Sequence, residues 1–377
     1  MKKLLFVYFL TAITIISAAQ TSTTTAFQPP QFFDIKKLEA TSVKDQEMTG
    51  TCWCFSTTSL VESDEIRKDK RSIDLSEMFT VRNIYIEKAK NYILRQGKAQ
   101  FGEGGLGHDE IRAVANYGAI PLEDYTGLLN GQKMYNHQKM FSQLKKYLDS
   151  VLKKQPISED WLNGYTNILD QNMGKAPETF NYEGKEYTPL TFAKDVLHFN
   201  GDDYISLTSF THEPYYKSFI LQVPDNFANG SFYNLPLNEF IDIVKSAIEK
   251  GYSVSWDADV SNRGFRQDIG LAVNLDSKTS YSKDAINPDM QEAPYNATIR
   301  QDLYENLTTQ DDHLMHLTGI EKSKDGKTFF IVKNSWGKVG PFDGYIHVSE
   351  AYFAINTISI VLPKAALSKE LMEKLKL

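Results

Sequence analysis

Apolar residues recur at helical spacing through the first half of the chain and give way to short strand-like apolar runs towards its end. From Cys52 the stretch WCFSTTSLVESDEIRK places apolar residues three and four apart, which predicts a helix beginning at or near that cysteine. LSEMFTVRNIYIEKAKNYIL reads as a long amphipathic helix. Residues 45–125 are therefore expected to be mainly helical. The segment 126–235 is rich in Tyr, Asn, Gly and Lys and has a helical start at HQKMFSQLKKYLDSVLKK, with no internal repeat. Residues 236–365 open with a helix at LNEFIDIVKSAIEK and continue as strand-like runs, so the pattern as a whole predicts an α+β chain. Residues 20–44 form an N-terminal segment, and 366–377 a basic amphipathic tail, SKELMEKLKL.

The first residues fix the expected compartment. Lys2 and Lys3 precede an apolar run from Leu4 to Ile16, followed by the small residues Ser17, Ala18 and Ala19. This reads as a secretory signal over 1–19 with cleavage expected after Ala19; an uncleaved anchor is the alternative. The protein is accordingly expected outside the cytoplasm, periplasmic or extracellular, without stable membrane insertion once the signal is removed. The formal net charge is −7 and falls to about −9 without the two signal lysines. An acidic chain with no basic block argues against nucleic acid as a partner.

Two cysteines, Cys52 and Cys54, are the full complement. One residue separates them, so a disulfide would close a strained loop that stabilises little, and both are read as free thiols. Cys52 follows the turn residues Gly50 and Thr51, at a helix N-terminus where unpaired N–H groups favour a thiolate. Cys54 points to another side of the same helix and is read as core.

A thiolate nucleophile needs a base and a group to orient that base. Of the chain's seven histidines, His313 and His316 lie in a strand-like run, HLMHLTGI, followed by EKSKDGK and a second run, TFFIVKNSWG, ending at Asn334. With Asp325-Gly326 as a two-residue hairpin turn, Asn334 would face Leu317 and share a side of the sheet with His313, while His316 faced away. His313 would then lie four residues along, roughly 13 Å at strand rise, too far for a hydrogen bond. Direct opposition requires an even shift, so the turn is expected to be displaced toward Ser323-Lys324 or bulged.

Taken together, Gln46, Cys52 and Trp53 in QEMTGTCW, His313 in DHLMHLTG and Asn334 in KNSWG resemble the papain superfamily of cysteine peptidases. GEGGLGHDEIRAVANYGAIP, GYSVSWDADV and DGYIHVSEAYFAINTISIVLPKAAL are similar to its bleomycin hydrolase and aminopeptidase C branch. The resemblance implies a two-lobe papain-like fold: a helical lobe carrying Cys52, an antiparallel β-barrel-like lobe carrying His313 and Asn334, and the active site in the cleft between them. It implies that Cys52, held as a thiolate beside cationic His313, attacks a peptide carbonyl. Asn334 would orient the imidazole, Trp336 would shield that bond and border the substrate, and Gln46 would donate to the oxyanion with the Cys52 backbone N–H. Gly104 and Gly105 would let an extended substrate pair with the backbone. Trp256 and Asp257 are expected near the cleft. No cofactor or metal is called for, and the partners are peptide or protein substrates. Branch members form hexameric rings, which leaves a homo-oligomer open, and use the chain's C-terminus in the cleft to select a free amino end. The segment before Gln46 is too short for the usual papain propeptide. The expected activity is an exported cysteine aminopeptidase; an endopeptidase of the same fold, a transglutaminase-like enzyme and an inactive peptide binder are the alternatives.

Overall fold

The computed structural model describes residues 28–276, 278–282 and 285–377. The stretch read as an export signal lies outside them. A first strand, β1 (Phe33–Lys37), leads to three helices, α1 (Cys52–Asp69), α2 (Glu77–Leu94) and α3 (Gly107–Tyr117). The middle segment contributes α4 (Gln138–Leu152), α5 (Trp161–Met173), the hairpin β2 (Phe180–Tyr182) and β3 (Lys185–Tyr187), and α6 (Pro189–Asp195). It continues with β4 (Tyr204–Thr208), β5 (Ser218–Ile220) and β6 (Ser231–Asn234). The last part runs through α7 (Leu237–Glu249), β7 (Val254–Ala258), β8 (Phe265–Arg266), β9 (Leu271–Ala272) and α8 (Ala297–Glu305). It closes with β10 (His313–Lys322), β11 (Thr328–Lys333), β12 (Tyr345–Ser349), α9 (Glu350–Asn356), β13 (Thr357–Pro363) and α10 (Lys369–Leu375).

Two apolar cores account for the two lobes. α1 to α6 enclose the first around Trp53, Phe79, Tyr85, Leu144 and Phe192. In α7, Leu237, Phe240, Ile241, Val244, Ala247 and Ile248 recur at helical spacing and are buried with Trp256, Phe330 and Phe353 in the second core. Each such side chain contributes roughly 1.5–3 kcal/mol relative to exposure. The middle segment is divided between the cores: α4 and α5 pack on α2, whereas β4, β6 and β5 extend the sheet of the β lobe. That sheet runs β5-β6-β4-β13-β7-β10-β11-β12-β9-β8, with β1 added beside β10. Among the described residues its end strands β5 and β8 do not pair with each other, so the barrel-like lobe is an open sheet rather than a closed barrel.

α1 lies between the lobes and is buried on nearly every side from Cys52 to Ile66. Several of its polar residues find a partner across an interface, whereas the buried Ser63 Oγ has none among the described residues. Ser56 Oγ donates to Met315 O at 2.6 Å, and Thr57 Oγ1 and Ser255 Oγ are 2.9 Å apart. Glu62 accepts from Thr41, at 2.5 Å, and from the Leu75 N–H, at 2.8 Å. An unmade bond of this kind would cost about 1–3 kcal/mol, so these contacts fix the two lobes against one helix.

The C-terminal helix α10 turns Leu371 and Leu375 into the β-lobe core, and Lys374 lies 3.6 Å from Glu239 of α7. The tail is therefore held on the α7 side of the β lobe. Its leucines are spaced for burial, which places the helix by its apolar edge rather than in the cleft. Among the described residues no helix is long and apolar enough to cross a membrane.

Candidate active site

The loop before α1 is tied down by its own short polar residues. Thr49 Oγ1 donates to Gln46 O at 2.7 Å and lies 2.6 Å from Thr51 Oγ1, and the Gly50 N–H donates to Glu103 Oε2 at 2.8 Å. α1 then begins at Cys52, which is 8% exposed. Trp53 Nε1 donates to Glu103 O at 3.1 Å, locking the first turn against the glycine loop. Cys54 faces the helical core, its Sγ 3.0 Å from Glu110 Oε2.

Across the cleft, β10 runs antiparallel to both β7 and β11. His313 opposes Ala258 at the start of β10, and its Nε2 lies 2.8 Å from Asn334 Oδ1. Oδ1 also accepts the Ser335 N–H at 2.7 Å, and Asn334 Nδ2 donates to Gln267 Oε1 at 3.0 Å. These partners set the amide orientation, so Nε2 carries the proton and Nδ1 is the free basic nitrogen. The Trp336 ring covers His313 at 4.7 Å between centroids. Its indole also packs edge-on against Phe265.

The turn differs from expectation. Lys322 pairs with Thr328 across the five-residue connection 323–327, and the register shifts by one residue between Leu317 and Gly319. The expected bulge is present, at Thr318, but the turn is not displaced toward Ser323-Lys324 and His313 does not directly oppose Asn334. Beyond the bulge, His316 pairs with Lys333, so Asn334 is level with Met315 and shares its face with His313 two residues on. His316 faces α1, its Nδ1 2.9 Å from Ser59 Oγ.

Gln46 joins this end of the site through Ser335. Its N–H donates to Ser335 O at 2.9 Å, and its Oε1 accepts from Ser335 Oγ at 2.6 Å. Nε2 donates one hydrogen to Thr49 O at 2.8 Å, leaving the second for a ligand. The glycines stand on the opposite wall. A Cβ on Gly105 would lie 3.1 Å from the Trp53 ring, and one on Gly104 would collide with the Asp225 carboxylate. Trp256 does not reach the cleft: period-two alternation turns it into the β core, where Nε1 donates to Thr357 Oγ1 at 2.7 Å. Its neighbour Asp257 points to the cleft side.

The electrostatics of the site run against one expectation. Burial pushes the Cys52 thiol up to about 12; a backbone hydrogen bond from Leu314 opposes this, and the carboxylates of Asp311, Asp225 and Asp257 add to the rise. Burial lowers His313 to about 4, against the Asn334 bond. Both shifts run against the expected ion pair, towards the neutral thiol and the neutral imidazole. The helix macrodipole, on the order of 1 kcal/mol, is outweighed by desolvation and three negative groups.

Residues 113–377 match the family model described as the Peptidase C1-like family, and residues 29–157 match that of the papain family cysteine protease. The chain belongs to the Peptidase C1-like family. As a Peptidase C1-like protein of the papain superfamily it is a cysteine peptidase, a hydrolase, of the aminopeptidase C branch. It is 23% identical over 378 residues to aminopeptidase C of Lactobacillus delbrueckii subsp. lactis, covering 89% of this chain and 82% of that one. It is 26% identical over 374 residues to aminopeptidase C of Streptococcus thermophilus, covering 87% and 81%. The fold is similar to the crystal structure of PepW from Lactobacillus rhamnosis HN001, with a TM-score of 0.71 and 20% identity over 91% of this chain and 84% of that chain.

Within this peptidase site, sequence reasoning missed Gln267, Asp225 and Asp311. Only Asp311 carried a signal, as the first residue of the DDH run ending at His313. Gln267 and Asp225 come from loops whose position no local pattern encodes. Among the described residues no group of three or more His, Cys, Asp or Glu side chains has the geometry to hold a metal ion.

Proposed function

We propose that this peptidase is an exported aminopeptidase in which Cys52, His313, Asn334 and Gln46 carry out the chemistry. The observation that carries the reading is the 2.8 Å contact between His313 Nε2 and Asn334 Oδ1 under Trp336, at a site opened by Cys52 on a helix N-terminus. His313 Nδ1 takes the thiol proton as Cys52 Sγ attacks the scissile carbonyl carbon. The oxyanion receives the free Nε2 hydrogen of Gln46 and the Cys52 backbone N–H, a preorganised stabilisation of charge that forms only in the transition state. The imidazolium returns its proton to the leaving amine, and water attacking the thioester, with His313 again as base, releases the product acid and restores the thiol. Printed names of relatives support aminopeptidase action, and the Lys2-Lys3 leader pattern supports export.

Purified protein lacking residues 1–19 is expected to hydrolyse an alanyl fluorogenic amide with a free amino group, and Cys52→Ala is expected to abolish turnover. Activity surviving in Cys52→Ala would sink the mechanism. Export is checked by fractionating cells that express the full chain. Retention of an unprocessed chain in the cytoplasm would remove that part of the reading.

A further inference from the structure

Three carboxylates from three separate segments meet beside the nucleophile. Asp225 lies in the loop between β5 and β6, Asp257 on β7, and Asp311 just before β10. Asp225 is braced from behind. Asn226 Nδ2 donates to Leu221 O at 2.8 Å and to Gly230 O at 2.9 Å, while Asn226 Oδ1 accepts the Gly230 N–H at 2.7 Å. That loop presents Asp225 directly over Gly104, where any side chain on the glycine would strike its carboxylate.

Asp257 is 1% exposed; one of its oxygens accepts from Ser359 Oγ at 3.0 Å and the other, Oδ1, has no hydrogen-bond partner. It lies within hydrogen-bonding reach of Asp311, which is partly open to the cleft, as is Asp225. Two facing carboxyls in a desolvated wall call for a proton or a cation between them. Lys88 donates to the backbone oxygens of Gly102 and Gly104, and from there its charge offsets only part of the field of Asp225 and Asp311. Gln100 Nε2 makes one weak contact with Asp225, at 3.3 Å.

We propose that Asp225 and Asp311, backed by Asp257, bind the free α-ammonium group of the substrate, and that Asp225 over Gly104 closes the cleft beyond a single residue on the amino side of the scissile bond. The inference rests on the aminopeptidase reading above and names the residues that enforce it. Covalent geometry fits. The nitrogen of an amino-terminal residue is two bonds, about 2.5 Å, from the carbonyl carbon it precedes. With the attacking sulfur roughly 3–3.5 Å from that carbon, the ammonium must sit within about 5–6 Å of Cys52 Sγ. Asp311, Asp225 and Asp257 all act on the Cys52 thiol through their charge, which puts them in its neighbourhood. An ammonium has three tetrahedral donors, suited to oxygens that arrive from different sides. Its charge also offsets the carboxylate field that adds to the rise of the thiol, so the correct substrate assists its own attack. Gly104, expected to pair with an extended substrate backbone, instead makes room for the acid that stops it.

The test compares kcat and KM for alanyl-aminomethylcoumarin, its acetylated twin and an acetylated dipeptide analogue, in the wild type, Asp225→Asn, Asp225→Ala, Asp225→Glu and Asp311→Asn. Stoichiometric alkylation of Cys52 and thermal melting report the folded fraction. The wild type is expected to favour the free amine at least about 100-fold. Asp225→Asn and Asp311→Asn are expected to lower kcat/KM for it roughly 10- to 100-fold, chiefly through KM, without lowering the acetylated rate. Asp225→Glu should retain most of the preference, and Asp225→Ala should gain the acetylated dipeptide. A free-to-acetylated ratio unmoved in folded Asp225→Asn and Asp311→Asn would overturn the assignment. A wild type that cleaves neither substrate, or both alike, would overturn the aminopeptidase reading itself.

Discussion

His313 and Asn334 are hydrogen-bonded at 2.8 Å although they do not oppose each other in the sheet. One residue decides their meeting. Beyond Gly319 the pairing with β11 follows the five-residue turn; continued without the bulge at Thr318, it would have set Asn334 level with His316. The bulge moves the register by one, and a one-residue step exchanges faces. Thr318 also marks where β10 changes its other partner from β7 to β1, its carbonyl accepting the Leu38 N–H at 2.7 Å. The changeover leaves room for the irregularity. Gly319 beside it has no side chain to strike Lys36 O.

His313→Ala is accordingly expected to lower kcat by at least about 10³-fold, in the upper part of the range for general acid–base catalysis or beyond. His316→Ala should leave kcat within a few-fold and lower stability by about 1–3 kcal/mol, through loss of its bond to Ser59. Steady-state kinetics and urea melts separate the two. Equal loss of kcat in both variants would contradict the face assignment.

Gln46 is aimed by Ser335. Gln46→Ala should lower kcat by about 10²–10³-fold with KM little changed, the range for removing one oxyanion donor. Ser335→Ala should cost less, because it frees the amide to rotate without deleting it. A larger effect from Ser335→Ala than from Gln46→Ala would rule out that order of roles.

The two cysteines should separate cleanly. Cys52→Ala should lose all turnover at unchanged fold, whereas Cys54→Ala should keep kcat and lose about 1–3 kcal/mol, since it removes a donor from buried Glu110. Turnover lost in Cys54→Ala at full folding would contradict its core role.

Burial lifts the Glu110 carboxyl to about 8, with Cys54, Thr58 and Thr80 donating to it. Its folded pKa lies above the unfolded value near 4.5, so between them the folded state binds the extra proton. The stability this provides is fully present below about 4.5 and is lost as pH rises through about 8. Glu110→Gln, which stays neutral, should flatten the fall in Tm from pH 5 to 8. An unchanged slope in the variant would assign that dependence elsewhere.

Leu371 and Leu375 hold α10 in the β-lobe core. Leu371→Ala should cost about 2–5 kcal/mol while leaving the free-to-acetylated substrate ratio unchanged, because this helix is not part of the cleft. A change of that ratio in folded protein would restore a role for the tail in selection.

The sequence by itself determined the local elements and the identities of the reacting groups. Gly50-Thr51 before an apolar helical period sets the start of α1 at Cys52, and strand alternation puts His313 and His316 on opposite faces of one strand. Both follow from periods written into neighbouring residues. The bulge at Thr318 that brings Asn334 to the His313 face, the turning of Trp256 into the core, and the meeting of Asp225 with Gly104 were decided by tertiary structure. So was the burial that raises the Cys52 thiol. Those outcomes depend on which distant segments pack together and exclude water, and on the charges they bring with them, and no local spacing encodes that.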